Sequence, residues 1–214
     1  MLSKEQGPYI NGLHETEHKQ SIGIGLYIMG PGRKIWSILE LNGSFWPEER
    51  IAKLSIPLER RQKGESTFDN MRAALGEFCS PEDVPMLSSS LFIVGKPELT
   101  SVFVYEKNRF CTLFPMACYR DILPTPFNAD EVKPMGWKSP NRMLLQPNLR
   151  SLAGQLIRVA EEKNFWEKAD DGFSRPDKRI PVFGTHFSAQ DLINLLSRRD
   201  SKNDIINING TNHI

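Results

Sequence analysis

Phe68, Met71, Leu75 and Phe78 recur at steps of three, four and three residues. That is the spacing of one apolar stripe along an α-helix, and it predicts a helix over residues 68–79 whose apolar face packs onto a sheet. Its start is marked by Gly64-Glu65-Ser66-Thr67, where Ser66 or Thr67 can cap the helix and Asp69 suits the first turn. Ser80-Pro81 marks its end. Its middle, Ala73-Ala74-Leu75, carries no acidic residue.

The flanking sequence supplies the strands that such a helix needs. Ile22 to Met29 is apolar and punctuated by Gly23 and Gly25, as in a buried strand. Gly30-Pro31-Gly32 is a turn signal, and Lys34 to Leu41 forms the returning strand of a hairpin. Leu91–Val94, Thr100–Tyr105 and Phe110–Tyr119 give three more strands, and Val132–Trp137 a short late one. A second helix has Leu149, Leu152, Leu156 and Val159 on one face. Residues 168–179, rich in charge, Gly and Pro, read as a loop. A third helix runs over about 188–199, with Ser188 as its cap, Phe187 stapled onto Leu192, and Arg198-Arg199 at its C-terminal end. The order of elements does not alternate regularly, so the fold class is α+β rather than a doubly wound sheet. The implied organisation is a polar N-terminal lead-in over 1–20, a domain over 21–165, and a C-terminal extension over 166–214.

The 214 residues are enough for one large domain or a domain with an extension. Net charge is +1, so no bulk field draws the chain to nucleic acid or to an anionic membrane. The longest apolar run, Ile22 to Met29, is far too short to span a bilayer. No secretory signal is read at the start. Cys79, Cys111 and Cys118 lack metal spacing and read as reduced, buried thiols, which points to the cytoplasm. His14 and His18 stand four apart in a polar stretch and make no zinc site with His186 or His213.

Taken in order, Ile56-Pro57, Gly64-Glu65-Ser66-Thr67, the apolar helix, Asp130-Glu131-Val132 and Trp137 resemble the landmarks of the Nudix hydrolases. The resemblance spans roughly residues 21–163. It implies an α/β/α sandwich with a mixed sheet, here with an added C-terminal helix. In that family, glutamates on the helix hold Mg²⁺, which bridges a diphosphate and activates water. The same comparison implies that most of that equipment is missing. Leu58 and Glu59 stand where the family's turn has glycines. Ala73 and Ala74 stand where it has an Arg-Glu pair, and Glu77 and Phe78 where it has two glutamates. Glu65 and Glu77 remain, twelve residues apart, and at about 1.5 Å of rise per residue they are too distant to form a compact cage as a pair.

Three functions stay open on the sequence. The first is a non-hydrolytic module that binds a nucleotide-like ligand or a protein partner through the old cleft. Phe45, Trp46, Arg60 and Arg61 are its candidate ligand-binding residues. The second is an atypical hydrolase of nucleoside diphosphate derivatives using Mg²⁺ or Mn²⁺. Glu65, Glu77 and Glu131 would be its catalytic residues, and Glu65, Asp69 and Glu77 its metal ligands, with Glu82 or Asp83 near the helix end. The third is a structural assembly subunit that docks through the C-terminal helix, and a homo-oligomer is compatible with any of them. The binding module is the leading expectation, with no cofactor required.

Overall fold

The computed structural model describes residues 21–41, 52–62, 64–76, 79–94, 100–104, 109–121, 124–126, 129–182 and 188–198. The strands are β1 (Ser21–Gly30), β2 (Lys34–Glu40), β3 (Lys53–Ser55), β4 (Leu58–Arg60), β5 (Leu91–Ile93), β6 (Thr100–Val104), β7 (Arg109–Cys118), β8 (Val132–Lys138) and β9 (Ile180–Pro181). They form one open, mixed sheet with the path β3-β2-β1-β7-β5-β9. At its centre β1 and β7 run parallel, from Ser21 beside Phe110 to Met29 beside Ala117. The other pairings are antiparallel, including β4 on the first half of β1 and β8 along β2.

β1 is buried on both faces, which is why its sequence is a continuous apolar run instead of an alternation. Ile24, Leu26 and Ile28 face one core cluster, and Tyr27 and Met29 face the other. Gly23 is required by the pairing with β4, since a Cβ there would lie 2.2 Å from the Glu59 carbonyl oxygen.

Helices cover both faces. Helix α1 (Thr67–Gly76) lays Phe68, Met71 and Leu75 on the first cluster, as the stripe requires. The short helix α2 (Val84–Ser88) adds Val84 and Leu87 to the same side. On the opposite face lie α3 (Pro140–Leu144), α4 (Ser151–Glu162) and α5 (Phe165–Ser174), whose apolar residues join the second cluster. Residues 189–198 form the last described helix, α6. Its Leu192 is fully buried in the first cluster, beside α1. The architecture is therefore α+β, with a mixed sheet between two helical layers.

Several elements differ from the sequence reading. In α4 the buried stripe is Ala153, Leu156, Ile157 and Ala160, while Leu149, Leu152 and Val159 flank it half-buried. Leu156 packs closely on β1, where Gly25 makes room for it: a Cβ on Gly25 would stand 2.4 Å from a Leu156 methyl. The loop expected over 168–179 is largely helical. Phe165, Trp166 and Ala169 are buried at helical spacing, Phe173 packs beside them, and the charges face solvent. The segment then adds a strand to the sheet, with Ile180 paired to Ile93. Leu58 and Glu59 do not form a turn either. They lie in β4, and the chain turns later, at Gly64, whose φ of +82° lies in the left-handed region that favours glycine.

Candidate functional site

The segment from β4 into α1 is where the sequence placed its chemistry, and it is held by a set of local hydrogen bonds. The Glu65 carboxylate is buried and accepts the Gln62 backbone N–H at 2.9 Å. The Glu65 carbonyl accepts the Arg61 guanidinium, through Nη2 at 2.9 Å and Nε at 3.3 Å. Asn70 Nδ2 donates to the Arg60 carbonyl at 3.2 Å, which ties β4 to the first turn of α1. Ser66 caps the helix: its Oγ accepts the Asp69 N–H at 3.0 Å and donates to the Asp69 carboxylate at 2.8 Å. Burial pulls the Arg61 guanidinium below its ordinary value, and the Glu65 charge acts in the opposite direction.

Of the candidate metal ligands, Glu65 and Asp69 each hold a local hydrogen bond. Glu65 closes a turn, and the Asp69 carboxylate accepts the hydroxyl of the capping Ser66 and lies 3.7 Å from Arg72. Ala73 and Ala74 are both 0 % exposed, and Ala74 belongs to the first core cluster. Glu131 sits in an exposed turn, where its carbonyl accepts the Leu41 N–H at 2.7 Å. Arg60 is exposed on β4 and Arg61 half-buried. Phe45, Trp46, Glu77 and Phe78 lie outside the described residues. Among the described residues, no group of three or more His, Cys, Asp or Glu side chains is placed to hold a metal ion. The described residues at the positions the Nudix resemblance singles out do not fit Mg²⁺: two are buried alanine methyls, and Glu65 is committed to the turn.

The last helix bears directly on α1. A Cβ on Gly76 would stand 3.2 Å from methyls of both Leu192 and Leu196. The Arg72 guanidinium lies 4.0 Å from the centre of the Phe68 ring. Burial lowers its pKa, and the charges of Asp69 and Asp191 raise it, so α1 and α6 share an electrostatic contact as well as an apolar one.

A groove of about 610 Å³ opens elsewhere, along β2 and β8 beneath α3. Leu39 and Leu54 form part of its lining, with Met135 and Trp137 beside them. Lys34, Lys138 and Arg142 also line it. Trp137 stacks on the fully buried Trp36, with centroids 5.8 Å apart and planes at 27°. The sequence reading singled out Trp137 but missed the three cations. They are scattered through the chain, and only the pairing of Lys138 with Ile35, next to Lys34, brings two of them to one end of the hairpin.

The sequence matches no protein-family model, and no curated protein matches it. Comparison with solved structures gives Nudix hydrolases. A Nudix hydrolase from Nitrosomonas europaea is 15% identical over 76% of this chain and 95% of its own, with a TM-score of 0.41. An Ap4A hydrolase from C. elegans, solved as a binary complex, is 15% identical over 65% of this chain and 96% of its own, with a TM-score of 0.44. The Nudix domain of Shewanella oneidensis NrtR, solved with ADP ribose, is 14% identical over 75% and 99%, with a TM-score of 0.42. Among the described residues, no helix is long and apolar enough to cross a membrane.

Proposed function

We propose that this chain is a Nudix-fold binding module that recognises a nucleotide-like ligand without hydrolysing it, and that it works in the cytoplasm with no metal cofactor. The observation that carries this reading is the complete burial of Ala73 and Ala74. Metal-assisted attack of water on a diphosphate needs clustered carboxylates that reach solvent, where metal and substrate can enter. At these two positions the helix instead presents methyl groups, and one of them is part of the core. Glu65, which keeps the family's identity, is used to shape the loop. The fold is retained while this part of the helix serves packing.

The test is twofold. Purified protein is incubated with ADP-ribose, dinucleoside polyphosphates and nucleoside triphosphates, with Mg²⁺ and with Mn²⁺, and product release is followed. The expected result is no turnover above background. In parallel, thermal shift with the same compounds is expected to show stabilisation by at least one nucleotide without metal. Metal-dependent turnover abolished by Glu77→Gln would overturn the reading in favour of an atypical hydrolase. Absence of any nucleotide stabilisation would favour a protein partner or an assembly role.

A further inference from the structure

Helix α6 spans only residues 189–198. A helix shorter than about 12–15 residues is marginal in water by itself, so α6 depends on the surface it docks against. Its first turn is closed internally. The Asp191 carboxylate accepts the Ser188 N–H at 2.7 Å and the Ser188 hydroxyl at 2.8 Å. The N–H groups of Asp191 and Leu192 donate back to the Ser188 carbonyl, and Gln190 Nε2 donates to Asn194 Oδ1 at 3.1 Å. None of these bonds reaches another element, so α6 can leave the body without breaking them.

The attachment is made by side chains instead. Leu192 lies in the first core cluster at 1 % exposure, and Leu196 packs half-buried against that cluster. Residues four apart share one helical face. Both leucines meet α1 at one place, since a Cβ on Gly76 would lie 3.2 Å from a methyl of each. The missing side chain at Gly76 is what lets them seat. One turn earlier on α1, Arg72 carries the charge opposite to that of Asp191, and the two attract one another. Gln190, Asn194, Ser197 and Arg198 are exposed on α6. Two apolar anchors four residues apart, with a polar outer face, are the pattern by which an amphipathic helix is recognised in a groove.

We propose that the stretch of α1 from Arg72 to Gly76 is a docking site for an amphipathic helix with two leucines four apart and an acid immediately before the first, and that α6 is its resident, detachable occupant. While α6 is seated, a partner helix of that pattern is excluded. When α6 leaves, the site is open to it. This surface is defined by α1 and α6 alone and is independent of the nucleotide reading.

Hydrogen exchange of the intact protein in low urea gives the first test. The amides of residues 192–198 are expected to open at least about tenfold faster than those of residues 71–76, with little dependence on urea. Equal rates and equal urea dependence in both helices would mean that α6 opens only with the whole fold, and would overturn the proposal.

The probe for the open site is a peptide of residues 188–198 with Gln190→Glu and Asn194→Lys joined as a lactam on the exposed face, which lowers the entropy lost on binding. Fluorescence polarisation follows its binding to the full chain carrying Leu192→Asp with Leu196→Asp, whose own α6 bears charges in place of its anchors. This variant is expected to bind the peptide at least about tenfold more tightly than wild type, where the tethered α6 competes at about millimolar effective concentration. Bound peptide is expected to slow exchange over residues 71–76, and a peptide with both leucines replaced by serine is expected not to bind. No binding to the folded variant, equal affinity for wild type and variant, or equal binding of the serine peptide would overturn the proposal. Thermal denaturation reports whether the variant folds. If it does not, Leu196→Ser takes its place, and if that also unfolds, the exchange measurement on wild type decides alone.

Discussion

Replacing Ala74 by glutamate would place a carboxylate at a position that is 0 % exposed and lies within the first core cluster. The chain must then bury a charge with no partner built for it. Full burial raises a carboxyl pKa by about two to three units above its ordinary value of about 4.3, and at neutral pH that shift costs about 3–4 kcal/mol. Forcing extra methylenes and a carboxyl into the space of a methyl adds about 1–3 kcal/mol of overpacking. The sum approaches the whole stability of a typical domain, about 5–15 kcal/mol.

Ala74→Gln carries the same overpacking without the charge, so the gap between the two variants isolates the electrostatic cost. The sign of its pH dependence follows from linkage. A group whose pKa is raised in the folded state favours folding while it is protonated and loses that contribution as pH rises through the folded pKa. The Glu and Gln variants should therefore have similar stability near about pH 4, and the Glu variant should fall progressively behind between about pH 4.3 and pH 7. Urea denaturation followed by circular dichroism measures both variants across that range. A gap that stays below about 0.5 kcal/mol at every pH would mean that Ala74 reaches water in solution, which would refute the argument for a closed helix and reopen the metal-site reading.

Three further outcomes are expected. Burial pushes the Cys118 thiol up to about 11, so the stability it contributes is complete below about pH 9 and is lost as pH rises towards 11; Cys118→Ala should remove up to about 1.4 kcal/mol per pH unit from the alkaline fall in urea stability, compared as slopes with wild type. Tyr27 donates its hydroxyl to Glu161, which also accepts Trp166 Nε1 at 3.0 Å, so Tyr27→Phe should cost about 2 kcal/mol in the same assay by leaving the carboxylate with one donor fewer. Leu192→Ala should loosen helix 189–198 from α1 at a cost of about 2–3 kcal/mol, seen as faster hydrogen exchange in both helices, whereas exchange unchanged in α1 would separate the two.

How much of this was readable in the sequence depended on how locally each feature is encoded. The α1 stripe was legible because Phe68, Met71 and Leu75 meet the sheet at plain helical spacing. The first hairpin was legible from Gly30-Pro31-Gly32, and the observed turn has Gly32 at φ +71°. Helix α5 was not, because its charged residues dominate the composition while its apolar anchors, Phe165 and Trp166, stand at its very start. The face of α4 was legible only in part: Leu156 is buried as its stripe required, but the buried face turns towards Ala153, Ile157 and Ala160, which large-residue spacing did not mark. The cationic groove was invisible for a different reason. Lys34 and Lys138 lie more than a hundred positions apart and come to the same end of the hairpin only through the pairing of β2 with β8. At the candidate site the alanines at positions 73 and 74 could be read directly, but their full burial could not. Ala73-Ala74 looks the same in sequence whether a cleft is open or filled.

The position of α6 adds the last step. A helix that performs metal chemistry must leave one face to water and substrate, so it can bury only what remains. Here α1 places Met71, Ala74 and Leu75 in the first core cluster and meets Leu192 and Leu196 at Gly76. The described half-turns of α1 are thus contacted both by the sheet cluster and by a later segment of the same chain. Each contact constrains side-chain volume: Gly76 leaves room for the leucines, and Ala74 fits a fully buried position. A carboxylate at residue 74 would have to displace part of this packing before it could reach an ion. A carboxylate introduced at residue 74 alone would therefore not suffice to hold an ion, because that position is closed by the core and α6 packs on the same helix at Gly76.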